Sequence, residues 1–248
     1  MNNNKYSLFF ILLIFFLSAC APMRLSRFES QGEIAEIRSR VVYDAESLIG
    51  RRYLNPRGKH FPNDCSGFIA SVYYKNNINL IEQEEQKRQN LVKIIFDNVS
   101  SKGIVFRDLN PKPGDIVFFS NTHKKFGENT LSHIGLVEKV DEDGTITFIH
   151  KGSMGIVRDY LNLKIPSKTS DENEKTLNSY LRRKRNSDPP ATKYLAGELF
   201  EAYGNIIDPK SQEKREKVIV PEPVVKNPDE EAPIEEVPTE EAPVVEEK

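Results

Sequence analysis

An α+β fold, with helices first and an antiparallel sheet after them, is predicted by three features of the chain. Apolar residues recur at helical spacing before residue 75. They alternate at strand spacing after residue 113, and turn residues such as Asp143-Gly144 join the alternating runs closely enough to fold them back on one another.

In chain order, LFFILLIFFL (8–17) comes first, behind a polar start whose one charge is Lys5. The block is about half of what a bilayer-spanning helix needs, which suits the core of a signal peptide. It runs into Leu17-Ser18-Ala19-Cys20, which resembles a bacterial lipobox: an apolar residue, two small ones, then the cysteine that carries the lipid. The expectation is a signal over 1–20, with Cys20 lipidated through a thioether and anchoring the chain to a membrane. An ordinary secreted signal with a chance cysteine is the simpler alternative. Ala21 is not the aspartate that retains many lipoproteins in the inner membrane, so in a two-membraned host the outer membrane, facing the periplasm, is expected.

Ile34, Ile37, Val41, Ala45, Leu48 and Ile49 then form one helical stripe, ended by Gly50. A second helix is predicted over 65–74, with Asn63 or Asp64 placed to cap it, and a third around 91–99. Pro113-Gly114 turns into a strand at 115–119, followed by strands at 133–140 and 145–150 around the turn 141–144. Residues 155–160 and 193–200 are further strand candidates. Without signal and tail about 190 residues remain, enough for one sizeable core, so a single domain is expected over 21–208.

Residues 209–248 read differently. The last 28 hold ten acidic residues against two lysines and the near-repeat EEAPIEE/EEAPVVEE, with neither helical nor strand period. Such a tail builds no core and is expected to be disordered, serving as a spacer or contacting a basic partner. The formal net charge of -2 therefore leaves +6 on the other 220 residues. That balance suits an anionic polymer, and an ordinary solvated surface explains it nearly as well. The run Arg182-Arg183-Lys184-Arg185 has no interleaved aromatics and precedes SDPP, so it reads as a loop and not as a nucleic-acid site.

The chemistry centres on FPNDCSGFIASVYY (61–74). With Cys20 capped by lipid, Cys65 has no disulfide partner, and a lone thiol outside the cytoplasm is expected to be used or buried. It sits where the second helix begins, and a helix N-terminus favours the thiolate. Of the four histidines, His60 and His123 read as surface residues. His133 and His150 lie on the two strands of the predicted hairpin. A two-residue turn pairs His150 with Val137, and a four-residue loop pairs it with Gly135; in either register both histidines share a face, whereas a three-residue loop would separate them. No CxxC, HxxxH or HExxH spacing occurs, so neither a metal nor another cofactor is expected.

Four segments in order, Asp64-Cys65-Ser66-Gly67-Phe68, Pro113-Gly114-Asp115-Ile116-Val117-Phe118-Phe119, Ser132-His133-Ile134-Gly135-Leu136-Val137 and Phe148-Ile149-His150, resemble the motifs of the NlpC-type cell-wall cysteine peptidases. The resemblance covers roughly 33–205. It implies a papain-like fold, with the nucleophile at a helix N-terminus packed on an antiparallel sheet. It implies Cys65 as nucleophile, His133 as base and His150 as the residue orienting it. Tyr53 matches a tyrosine lining the site, and Asp64 and Ser66 match positions that contact the peptide in some members. The chain departs from the family in lacking a Trp and paired glycines between Tyr53 and Cys65, and in longer stretches at 76–112 and 161–192. The implied activity is hydrolysis of peptidoglycan stem peptides at the amide after D-glutamate, through a thioester. Acyl transfer by the same intermediate and a non-catalytic wall-binding lipoprotein are the alternatives.

Overall fold

The computed structural model describes residues 26–54, 61–82, 90–123 and 130–208; the signal block, Cys20, His60 and the acidic tail lie outside the described residues. Helix α1 (Ser26–Glu46) begins earlier than its apolar stripe predicts and unwinds through turns to Gly50, whose φ of 81° suits glycine. Helix α2 (Cys65–Lys75) is capped by Asp64, whose Oδ1 accepts the Gly67 N–H at 2.9 Å and the Ser66 hydroxyl at 2.7 Å. Asn63, the other candidate cap, instead accepts the Leu54 N–H at 3.2 Å. Helix α3 (Leu91–Lys102) completes the helical part.

Six strands form one antiparallel sheet: β1 (Ile104–Phe106), β2 (Ile116–Ser120), β3 (Leu131–Val140), β4 (Ile146–Lys151), β5 (Ile156–Leu161) and β6 (Phe200–Asn205), in the order β1-β6-β2-β3-β4-β5. The α+β expectation is met. Two details differ from it. Strand β1 follows α3 directly, too short for an alternating signal. The strand sought at 193–200 begins only at Phe200, after a one-turn helix α4 (Ala196–Leu199). Gly204 explains where β6 sits, because a Cβ there would lie 2.9 Å from both the Phe118 ring and Val99.

The β3–β4 hairpin decides where the histidines point. At its tip the Asp141 N–H donates to the Thr145 carbonyl at 2.8 Å, and Gly144 takes a φ of 88°, closing a three-residue loop in place of the two- or four-residue turns predicted. The first pairs, Val140↔Ile146 and Lys139↔Thr147, carry a register that would put His133 and His150 on opposite faces. Glu138 then forms a bulge, and the next pairs, Val137↔Phe148 and Leu136↔Ile149, are shifted by one residue. Continued, that register sets His150 level with Gly135, on the face of His133. Arg158 of β5 holds the bulge, donating to Glu138 from Nε at 2.8 Å and from Nη2 at 2.6 Å, and approaches Glu46 of α1 at 3.6 Å.

Both sheet faces are covered, which is why β2 reads as an unbroken apolar run. Ile116, Phe118, Ile134, Leu136 and Ile149 pack against Phe68, Ile69, Val72 and Tyr73 of α2 and Ile95 and Val99 of α3. On the other face Val117, Phe119, Val137 and Phe148 meet Ala196, Leu199 and Tyr203.

The turn into β2 is tied to two helices. The Asp115 side chain is 0% exposed; it accepts from Arg38 of α1 at 2.8 Å and from the Lys112 N–H at 2.8 Å. The Tyr73 hydroxyl of α2 donates to the Gly114 carbonyl at 2.6 Å. Removing the arginine strands a buried carboxylate. Arg38→Ala is expected to lower the unfolding free energy by about 3–5 kcal/mol in urea titration.

Candidate active site

Cys65 opens α2, partly exposed at the floor of a cleft of about 1180 Å³. Gly67 allows this placement: a Cβ there would fall 1.8 Å from the Pro62 carbonyl oxygen, so only glycine lets the chain before the cap pass against the first helical turn. The N–H groups of Ile134, Ser66 and Cys65 itself lie close enough to the thiol to lower its pKa. Cys65 therefore meets β3 at the residue next to His133.

His133 Nε2 lies 2.7 Å from His150 Nδ1, and His150 Nε2 lies 2.8 Å from Asp159 Oδ2. Asp159, on β5 opposite Phe148, points to the same sheet face as His150. This row orders the protons. A carboxylate only accepts, so Asp159 takes the Nε2–H of His150. His150 Nδ1 is then a lone pair and accepts the Nε2–H of His133. His133 is left with its lone pair on Nδ1, the form in which an imidazole takes a proton. Both rings also pack on apolar neighbours, His133 on Phe119 and His150 on Phe148.

The thiol and His133 are both pushed toward their neutral forms. Burial, reinforced by the charge of Asp64, pushes the Cys65 thiol up to about 12 despite the backbone N–H groups that lower it. Burial also holds His133 well below the ordinary imidazole value, with His150 and then His123 adding to the effect. The helix N-terminus thus contributes the stabilisation expected from sequence, but desolvation outweighs it. Both shifts favour a thiol and a neutral imidazole over a standing thiolate–imidazolium pair.

The other residues singled out in the sequence sit around this row. Tyr53 lies on the cleft wall, 68% exposed. Asp64 and Ser66 also line the cleft, and hydrogen bonds join them to each other and to the helix start. His123 is exposed, as expected, yet it too lines the cleft. Among the described residues no three His, Cys, Asp or Glu side chains are grouped to hold a metal ion. Sequence reasoning missed Asp159, whose signal was available: an acid on the strand after His150 at the parity that shares its face. It also missed the cleft wall formed by Tyr180, Leu181, Arg182, Arg183, Arg185 and Asp188, from the stretch that looked merely long.

A family model described as the CHAP domain matches residues 56–152, a range that holds Cys65, His133 and His150 and leaves Tyr53 and Asp159 outside. No curated protein matches the chain. Among solved structures, an NlpC/P60 family protein from Bacillus cereus aligns at 16% identity with a TM-score of 0.37, covering 68% of this chain and 40% of the other.

The pH dependence of Cys65 reports the resting state. Because its folded pKa lies above the ordinary thiol value, alkylation by iodoacetamide is expected to keep accelerating beyond pH 9, followed on the Cys65 peptide by mass spectrometry. A plateau already reached below pH 7 would mean a preformed ion pair.

Proposed function

We propose that this protein is a cysteine-dependent hydrolase of peptidoglycan stem peptides, cleaving the amide that follows D-glutamate. The observation that carries the proposal is the row His133–His150–Asp159, set beside a thiol at a helix N-terminus in one cleft. The match to the CHAP domain, a papain-like amidase/peptidase, supports the same reaction class over the stretch holding the thiol and both histidines.

In the reaction, Cys65 Sγ attacks the carbonyl carbon while His133 Nδ1 removes the thiol proton. The imidazolium that forms is stabilised through His150 by the Asp159 carboxylate. The tetrahedral oxyanion is held by the Cys65 backbone N–H. As the carbon–nitrogen bond breaks, His133 gives the proton to the leaving amine, and a thioester remains. Water then attacks the thioester carbon as His133 takes its proton; the carbon–sulfur bond breaks, the acid leaves, and His133 returns the proton to sulfur. Tyr53, Asp64 and Ser66 face the bound peptide in this reading. Anchoring through a lipid on Cys20 places the domain outside the cytoplasm, beside its polymer.

Purified wall fragments digested by the protein and weighed by mass spectrometry test the reaction. Cys65→Ser is expected to abolish turnover with the fold intact. His133→Ala costs about 100- to 10,000-fold in kcat, the range typical of general acid–base assistance. His150→Ala and Asp159→Asn cost less, since those groups orient the base without touching substrate. Full activity in Cys65→Ser sinks the mechanism.

The anchor has its own test. In cell fractionation the mature protein is expected with the membranes, and Cys20→Ala is expected to release it; a wild-type protein found soluble contradicts the anchor.

A further inference from the structure

Asn63 stands two residues before Cys65 and lines the same cleft, exposed to solvent. Asp64 between them is extended, with φ -136° and ψ -173°, which sets the Cα atoms of Asn63 and Cys65 about 7 Å apart. The Asn63 amide is not free to turn. Its Oδ1 accepts the Leu54 N–H at 3.2 Å, so Nδ2 is the other limb and has no hydrogen-bond partner among the described residues. The cleft's other carboxamide, Asn90, is used at both ends: Oδ1 accepts the Lys93 N–H at 3.2 Å and Nδ2 donates to the Leu131 carbonyl at 3.1 Å.

The reaction has a use for such a donor. A carbonyl attacked by Sγ develops negative charge on its oxygen, and that charge is stabilised by fixed N–H groups aimed at it. The Cys65 backbone N–H supplies one. Asp64, whose charge already opposes the thiolate, opposes an oxyanion beside it for the same reason, so a single neutral donor is a weak hold. Held by the Cys65 N–H, the oxygen lies at the N-terminal side of the cysteine, the side from which Asn63 comes. The gap of about 7 Å leaves room for an acyl group on Sγ and one hydrogen bond to it.

We infer that Asn63 is a catalytic residue that donates from Nδ2 to the oxyanion of the tetrahedral intermediate, beside the Cys65 backbone N–H. The inference rests on the hydrolase reading above and deepens it. As Sγ bonds to the carbonyl carbon, the electron pair of the carbonyl π bond moves onto oxygen, and Nδ2 shares a hydrogen with that oxygen without giving it up. The thiol proton still goes to His133. When the carbonyl re-forms and the amine leaves, the hydrogen bond weakens and the amide is unchanged. Its bond to the Leu54 N–H holds it in place throughout.

The test separates reactions at Cys65 that pass through an oxyanion from those that do not. p-Nitrophenyl acetate acylates the thiol through a tetrahedral intermediate, whereas iodoacetamide alkylates it by displacement at a saturated carbon. Initial rates of both are followed on the Cys65 peptide of the full-length chain by mass spectrometry. Removing one oxyanion donor costs about 100- to 1,000-fold in an enclosed site; in this open cleft the ratio of acylation to alkylation is expected to fall at least about tenfold in Asn63→Ala. Asn63→Asp keeps the shape and the acceptor for the Leu54 N–H but puts a charge where the donor was, and its ratio is expected to fall further. An unchanged ratio in these variants, whether both reactions persist or both slow together, overturns the inference. So does a wild-type Cys65 that is alkylated but never acylated. A wild type that cleaves no stem peptide, with the ratio still falling in the variants, removes the substrate reading and keeps Asn63 as the oxyanion donor.

Discussion

The proton row depends on a constraint far from any proton: the unpaired residue in β3. At the hairpin tip the three-residue loop sets a pairing in which the two histidines would back onto opposite faces of the sheet. Glu138 absorbs one residue and reverses that parity before the strands reach the site. The bulge costs a ladder position. It is stabilised by the two-pronged contact with Arg158 and by the approach of that guanidinium to Glu46, so α1, β3 and β5 all take part in setting the register.

Neighbouring residues of β5 divide the labour. Arg158 faces the helices and grips the bulge, while Asp159 faces the other way and orients His150. Strand alternation makes this possible, since consecutive side chains serve opposite faces. The register and the proton order are thus held from one dipeptide. The cap of α2 lies on the helical face and the imidazole row on the other, and the two meet where Cys65 reaches the backbone of Ile134, the neighbour of His133.

Much of this was legible in the sequence. The helix at Cys65 announced itself through Asp64 and the apolar run, β2 through its apolar run behind Pro113-Gly114, and β3 to β5 through alternation and turn residues. The pairing of His133 with His150 was legible only conditionally, because periodicity carries no information about a bulge. A loop that looked wrong for the pairing is compensated by Glu138, whose partners are 20 residues ahead in β5 and nearly a hundred behind in α1. Strand β6 was misplaced because its position depends on the close packing of Gly204 against Phe118. The thiol's protonation was misjudged for a related reason: a helix N-terminus can be read locally, whereas the desolvation that outweighs it is a property of the folded surroundings.

The cleft is assembled from two kinds of chain. Its reactive thiol and both imidazoles fall within 56–152, whereas Arg52 and Tyr53 precede that stretch and the wall from Tyr180 to Asp188 follows it. The floor and the walls thus come from different stretches of the chain. Substitutions in the wall from Tyr180 to Asp188 change the charge that the cleft presents and leave the His133–His150–Asp159 row in place.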